Sequence, residues 1–131
     1  MQNLHTKDGG YPITPPAVPS KRFCLTIDLD PDPEKMREYL YLHSEEGFWR
    51  VIGEGIRRAG IPVMDIYRVD QRLFMICEVP LEIDFDQAWN DMGKYERQEE
   101  WDALTSRLQQ ALPGYPLKWI RMERIFRLYE S

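Results

Sequence analysis

The spacing of apolar residues switches repeatedly between a strand period and a helix period, and the order of those switches limits the available folds more than any single motif. Phe23, Leu25, Ile27 and Leu29 alternate with Cys24, Thr26 and Asp28, which reads as a strand. Asp32-Pro33 then supplies a carboxylate N-cap followed by proline in the first turn. Met36, Tyr39, Leu40 and His43 recur at helical spacing and share one face. Ser44 to Gly47 should break or kink that helix, Trp49, Ile52 and Ile56 resume it, and Gly60 before Pro62 suits a C-cap. Strands follow at Val63 to Val69 and Leu73 to Val79, joined by Asp70-Gln71 as the tight turn of a hairpin. A second helical region runs through Trp101, Leu104, Leu108, Ala111 and Leu112 and stops before Pro113-Gly114. The last strand spans roughly Trp119 to Leu128, with Ile120, Met122, Phe126 and Leu128 on one face and Arg124 among them.

The order is βαββαβ, an α+β chain of the ferredoxin-like kind. Helices on one side of such a sheet leave its other face bare, and a second copy of the chain often covers it. The bare face, opposite Phe23, Leu25 and Ile27, carries small or polar groups that suit a cavity. A homodimer with a pocket on each sheet is therefore expected. Residues 1–20 hold Gly9, Gly10, Pro12, Pro15, Pro16 and Pro19 without apolar periodicity, and read as a flexible arm. Residues 21–131 form the single folded domain.

A formal charge of −5 opposes binding to nucleic acid or an anionic membrane, which need a concentrated basic surface. No apolar run has the length of a membrane helix, and no signal pattern opens the chain, so a cytoplasmic protein is expected. The two cysteines, Cys24 and Cys77, lie in strand-like stretches without metal-ligand spacing and read as reduced core thiols. A neutral small molecule or a protein partner fits this balance best.

Few residues carry chemistry. His5 lies in the arm. His43 follows Tyr39 by one helical turn, so their side chains are nearly in line, and histidine both gives and accepts protons near neutral pH. Taken alone, a histidine on an amphipathic helix is more often structural than functional. Trp101 shares a face with Leu104 and Leu108 and packs in the core, although an indole at a pocket wall also stacks on the C–H face of a sugar. Asp28, Asp65, Glu78 and Glu123 sit on strands, where pairing with Arg68, Arg121 or Arg124 is the plainest reading. Residue patterns alone stop at an acid-base or binding pocket on a ferredoxin-like dimer.

Several segments taken together resemble the L-rhamnose mutarotase family, over roughly residues 21 to 128. They are Tyr39-x-x-x-His43 with the nearby Gly47-Phe48-Trp49; Ile66-Tyr67-Arg68 with Arg72-Leu73-Phe74-Met75-Ile76; Glu100-Trp101; and the closing Met122-Glu123-Arg124-Ile125-Phe126-Arg127-Leu128. The resemblance implies a dimeric α+β barrel that exchanges the anomers of a monosaccharide without a metal or organic cofactor. The family's proton-donating histidine matches His43, and its substrate-contacting tyrosine on that helix matches Tyr39. A sugar-contacting tyrosine of the family falls at Met64 here, and its paired tryptophans at Glu100-Trp101. Met64-Asp65-Ile66-Tyr67-Arg68, Arg72-Leu73-Phe74-Met75-Ile76 and Lys118-Trp119 to Leu128 look more like the L-fucose branch.

On this reading a 6-deoxy-L-hexose, L-fucose or L-rhamnose, is opened and reclosed by acid-base chemistry. His43 protonates the ring oxygen, Tyr39 orients His43 or meets a hydroxyl, Trp101 stacks on the sugar, and Met64 meets its apolar edge. Glu100 or a water molecule is the candidate partner base. Two other readings fit the same fold class: a dimeric α+β barrel oxygenase, cofactor-free or haem-linked, and a sugar-binding sensor without catalysis.

Overall fold

The computed structural model describes residues 6–129; His5 lies outside them. The elements in chain order are β1 (Ser20–Leu29), α1 (Pro33–Leu42), α2 (Arg50–Arg58), β2 (Val63–Val69), β3 (Arg72–Pro80), α3 (Phe85–Met92), α4 (Gln98–Ser106), β4 (Gln109–Gln110) and β5 (Ile120–Met122). The antiparallel sheet runs β2-β3-β1-β4, with β5 also beside β1, which is the ferredoxin-like order. The expected fourth strand is split in two. β4 pairs the end of β1 (Asp28 with Gln110) and β5 its middle (Thr26 with Ile120), and Pro113, Gly114 and Pro116 lie between them.

Local signals account for the first half. Asp32 caps α1, its carboxylate accepting from Lys35 N at 3.1 Å, with Pro33 at the first helical position. Ala59 and Gly60 close α2 in a Schellman motif. Gly60 N donates to Arg57 O at 3.0 Å and Ile61 N to Ile56 O at 3.2 Å, and Gly60 takes the φ of 106° that this ending requires. In the hairpin, Asp70 adopts φ 50°, which its short polar side chain tolerates better than most.

Two expectations from spacing fail in the second half. The helix expected through Ala111 and Leu112 ends at Ser106, because the backbone of Asp28 and Leu29 takes Gln109 and Gln110 as its ladder. The strand expected up to Leu128 stops at Met122, and residues 123–129 run on exposed and unpaired in the sheet. β1 begins at Ser20, one residue inside the expected arm. The described part of the arm has no helix or strand before that, yet Tyr11 packs edge-on against Tyr67 at 5.7 Å.

Helices cover the sheet face of Leu25, Ile27 and Leu29. One core cluster joins Leu25, Met75, Cys77 and Val79 to Ile61, Phe85, Ala88 and Met92. The other joins Ile27, Leu29 and Leu73 to Tyr39, Leu42, Ile52, Trp101 and Leu108. Ile27, Leu29, Ile52, Ile61 and Leu73 are fully buried, each a stabilisation of about 1.5–3 kcal/mol. The opposite face holds ion pairs between register partners: Arg72 with Asp28 at 2.5 Å and Arg22 with Glu78 at 2.6 Å. Asp28 and Glu78 are thus paired as expected but by different arginines, since Arg121 reaches Asp86 and Arg68 donates to Asp70 O. Asp65 and Glu123 have no such ion pair among the described residues, and Glu123 lies beyond β5.

The break between α1 and α2 depends on Gly47. A Cβ there would stand 2.1 Å from Tyr41 O and 2.8 Å from the Tyr41 ring. Ser44 knits the same turn, its Oγ donating to Tyr41 O and accepting from Gly47 N. We predict that Gly47→Ala lowers stability by at least about 1–3 kcal/mol in urea melts, as overpacking does elsewhere; a wild-type midpoint would refute the tightness of this turn.

Candidate active site

The last turn of α1 sets the first functional group. His43 N donates to Leu40 O at 3.2 Å, a tightened ending that leaves Tyr39 O without its usual helical partner. The ring of His43 fills that vacancy, its Nδ1 lying 2.8 Å from Tyr39 O. A carbonyl only accepts, so Nδ1 carries the hydrogen and Nε2 of the neutral ring carries the lone pair. The two side chains stack, with ring centroids 4.2 Å apart and planes 23° from parallel.

A cleft of about 1610 Å³ opens beside them. Tyr39, His43, Met64 and Trp101 all line it, so the structure brings together four of the five residues singled out above. The fifth, Glu100, is not in its wall. Its carboxylate is exposed and held by Arg97 through two hydrogen bonds of 2.9 Å. Met64 pairs with Cys77, which pairs with Phe23, so it faces the helix layer rather than the small and polar face. The cleft reaches the small and polar sheet face as well, where Arg22, Asp65, Ile76 and Glu78 border it. Ile56, Ile66 and Trp119 touch both core clusters, and the cleft is walled by members of both, including Leu25, Met75, Ile52 and Trp101. Helices and sheet are incompletely filled between them, and the gap is the candidate site.

Trp101 anchors the wall. It is buried on α4 and meets His43 at 5.4 Å, Phe48 at 5.4 Å and Trp49 at 5.1 Å between ring centroids. Behind it the Arg97 guanidinium lies 4.2 Å over the Trp49 ring. Arg97 takes φ 63° at the start of α4, a strained backbone for a side-chain-bearing residue. Glu100 therefore acts on the outside of this stack, fixing Arg97, which covers Trp49.

Polar groups that spacing did not single out complete the lining. Gln109 Nε2 donates to the Tyr39 hydroxyl at 3.3 Å, and Gln98 Nε2 to Asp102 Oδ1 at 2.8 Å; all four side chains border the cleft. Burial pushes the Tyr39 phenol up to about 12, against the weaker opposing pull of Gln109, so it stays a neutral donor. Burial raises the Asp102 carboxyl. Burial lowers His43, and its bond to Tyr39 O opposes this only in part. Protein atoms crowd the ring, although the residue as a whole is exposed to solvent.

This geometry can be set beside known proteins. The model of the L-rhamnose mutarotase family matches residues 22–128. The chain belongs to the L-rhamnose mutarotase family. Its members' activity makes it an isomerase acting on carbohydrates. An L-fucose mutarotase of Xanthomonas campestris pv. campestris is 33% identical over 114 residues, covering 85% of this chain and 90% of that one. The crystal structure of an L-rhamnose mutarotase from Formosa agariphila superposes with a TM-score of 0.60 at 15% identity, covering 83% of this chain and 99% of that one. At that identity the likeness establishes a shared mutarotase fold. Among the described residues no helix is long and apolar enough to cross a membrane.

The site makes a spectroscopic prediction. The His43 ring should titrate below the ordinary imidazole value of 6.5, with Nδ1 protonated throughout, in a nitrogen-15 pH series. A midpoint above 6.5, or an Nε2–H tautomer, would contradict the burial and the Tyr39 bond.

Proposed function

We propose that the chain is a mutarotase for a 6-deoxy-L-hexose, with His43 carrying the proton that opens and recloses the ring. The observation that supports this most is the tautomer of His43. At neutral pH its Nε2 bears a lone pair beside a tryptophan-walled cleft. Ring opening removes the proton from the anomeric hydroxyl and places one on the ring oxygen. Both oxygens are bonded to C1, so one nitrogen can serve them in turn. His43 first takes the hydroxyl proton; the resulting imidazolium then gives that proton to the ring oxygen as the C1–O bond breaks. Rotation about the bond to C2 presents the other face of the aldehyde, and the same steps run backward. His43 thus still protonates the ring oxygen, but it enters the reaction as an acceptor.

Water opens sugars slowly without help, so the demand on the protein is modest. A positioned acid-base group supplies about 10²–10⁴-fold, and a fixed pose adds more. Trp101 stacks on the apolar face of the sugar, Met64 meets its apolar edge, and the Tyr39 hydroxyl donates to it. The relative 33% identical to this chain is an L-fucose mutarotase, which supports L-fucose over L-rhamnose. Cys24 and Cys77 are free thiols, in keeping with the cytoplasmic location this reading assigns.

Two-dimensional exchange NMR at anomeric equilibrium tests the reaction. Cross-peaks between anomers of L-fucose should grow with protein and fall by about 10²-fold or more in His43→Ala. The wild-type rate should fall with decreasing pH through a midpoint below 6.5, because protonation removes the accepting form. Binding without faster exchange would favour the sensor reading. A rate that rises on acidification would mean that His43 enters already protonated.

We also infer a homodimer that covers the sheet face away from the helices. Neither core cluster includes a residue of that face, where Phe74, Ile76 and Cys24 are only half-buried. Beyond β5, Ile125, Phe126 and Leu128 are 89%, 63% and 82% exposed, more apolar surface than an isolated tail retains without use. Light scattering should give twice the chain mass at micromolar concentration, and the mass of one chain after removal of residues 123–131. A monomeric full-length protein would defeat the inference.

A further inference from the structure

Gln98 is the buried polar residue that the fold leaves unfinished. It is 3% exposed, and among the described residues its Oε1 is the single buried side-chain oxygen or nitrogen without a hydrogen-bond partner. Its Nε2 donates to Asp102 Oδ1, one helical turn on along α4. That bond fixes which way the amide points, because a carboxylate can only accept from the NH₂ end. Asp102 Oδ1 is thereby used, and Oδ2 has no protein partner among the described residues. Both side chains border the cleft that holds His43 and Trp101. A buried acceptor without a donor is costly, and Oε1 has almost no surface open to solvent, so Gln98 bears on the cleft through Asp102.

We propose that Asp102 is a sugar-binding residue that accepts hydrogen bonds from ring hydroxyls, and that Gln98 is the residue that positions it. A sugar stacked on Trp101 directs its hydroxyls outward around the ring edge. Asp102 follows Trp101 directly on α4, so its carboxylate meets that edge while the indole covers the face. Gln98 holds the carboxylate in one rotamer through its Nε2 bond. The ligand class is a polyol ring with a free hydroxyl next to an apolar face. Arg97 neutralises Glu100, one residue before Trp101, whereas no cation pairs with Asp102, which leaves this carboxylate free to bind a neutral sugar. The assignment rests on the mutarotase reading and adds to it the group that recognises hydroxyls.

The test is saturation of the anomer-exchange rate with L-fucose and with analogues each lacking one ring hydroxyl, for wild type, Asp102→Asn and Gln98→Met. Asp102→Asn should raise KM for the parent sugar by about 10- to 100-fold, the range for a hydrogen bond to a charged group, with kcat little changed. The same variant should add almost nothing for the analogue that lacks the hydroxyl Asp102 reads. Gln98→Met, similar in volume, should raise KM with the same hydroxyl pattern and a smaller factor. An unchanged KM in Asp102→Asn, or an equal penalty on every analogue, overturns the assignment. A Gln98→Met penalty on a different hydroxyl overturns the positioning role. Wild-type protein that leaves every sugar at the buffer rate defeats the mutarotase reading first, and this assignment with it.

Discussion

The hydrogen bond between His43 Nδ1 and Tyr39 O decides what the site can do. It exists because α1 ends one bond early. A continued helix would have used Tyr39 O for the backbone N–H of His43, and the ring would have been free to turn to solvent. The tightened turn instead gives that N–H to Leu40, and Ser44 and Gly47 hold the chain so that the helix cannot continue. The carbonyl bond favours a charged imidazole, yet burial outweighs it. The result is a neutral base of fixed tautomer, made from ordinary helix-ending chemistry rather than from a dedicated carboxylate partner.

Trp101 makes that burial effective. Its edge contacts to His43, Phe48 and Trp49 join α4 to the turn after α1, and Arg97 closes the far side of the stack. The strained φ of Arg97 lies at the point where α4 must start in order to deliver Trp101 at this depth. Two core clusters divide the helix layer; the aromatic wall belongs to the cluster of Ile27, Ile52 and Leu73, and Ile56, Ile66 and Trp119 lie where the two meet. A single filled core would have been more stable and would have had no room for a ligand.

Elements with a local chemical cause were legible in the sequence: the Asp32-Pro33 start, the Gly60 ending, the hairpin, and the Tyr39–His43 turn. Those decided by distant partners were not. Leu108, Ala111 and Leu112 keep helical spacing, but the ladder of β1 claims Gln109 and Gln110, and no local window contains that competition. Pairing of Asp28 with Arg72 and Glu78 with Arg22 needs the strand register, which the turn sets from elsewhere. Which carboxylate beside Trp101 borders the cleft was not legible, for a geometric reason. With Trp101 facing inward, Glu100 and Asp102 lie at equal angles to either side of it on a helix. Spacing cannot choose between them; the flank that opens on the cleft does, and only the packed α4 reveals it.

That choice bears on how one family can handle different sugars. Where the family resemblance places a tyrosine on β2, this chain has Met64, and where it places paired tryptophans it has Glu100-Trp101. Both departures remove contacts from the wall: a hydroxyl in the first case, a second indole in the second. A sugar held by stacking and one apolar edge would slide on Trp101, and sliding is harmful when two oxygens on C1 must meet the same nitrogen. Something polar must fix the ring in its plane. The cleft supplies such groups on the elements after β3, in Gln98 and Asp102 of α4 and in Gln109, which holds the Tyr39 hydroxyl. On the proposed reading, orientation of the sugar falls to the α4–β4 side, and the proton to the imidazole at the end of α1.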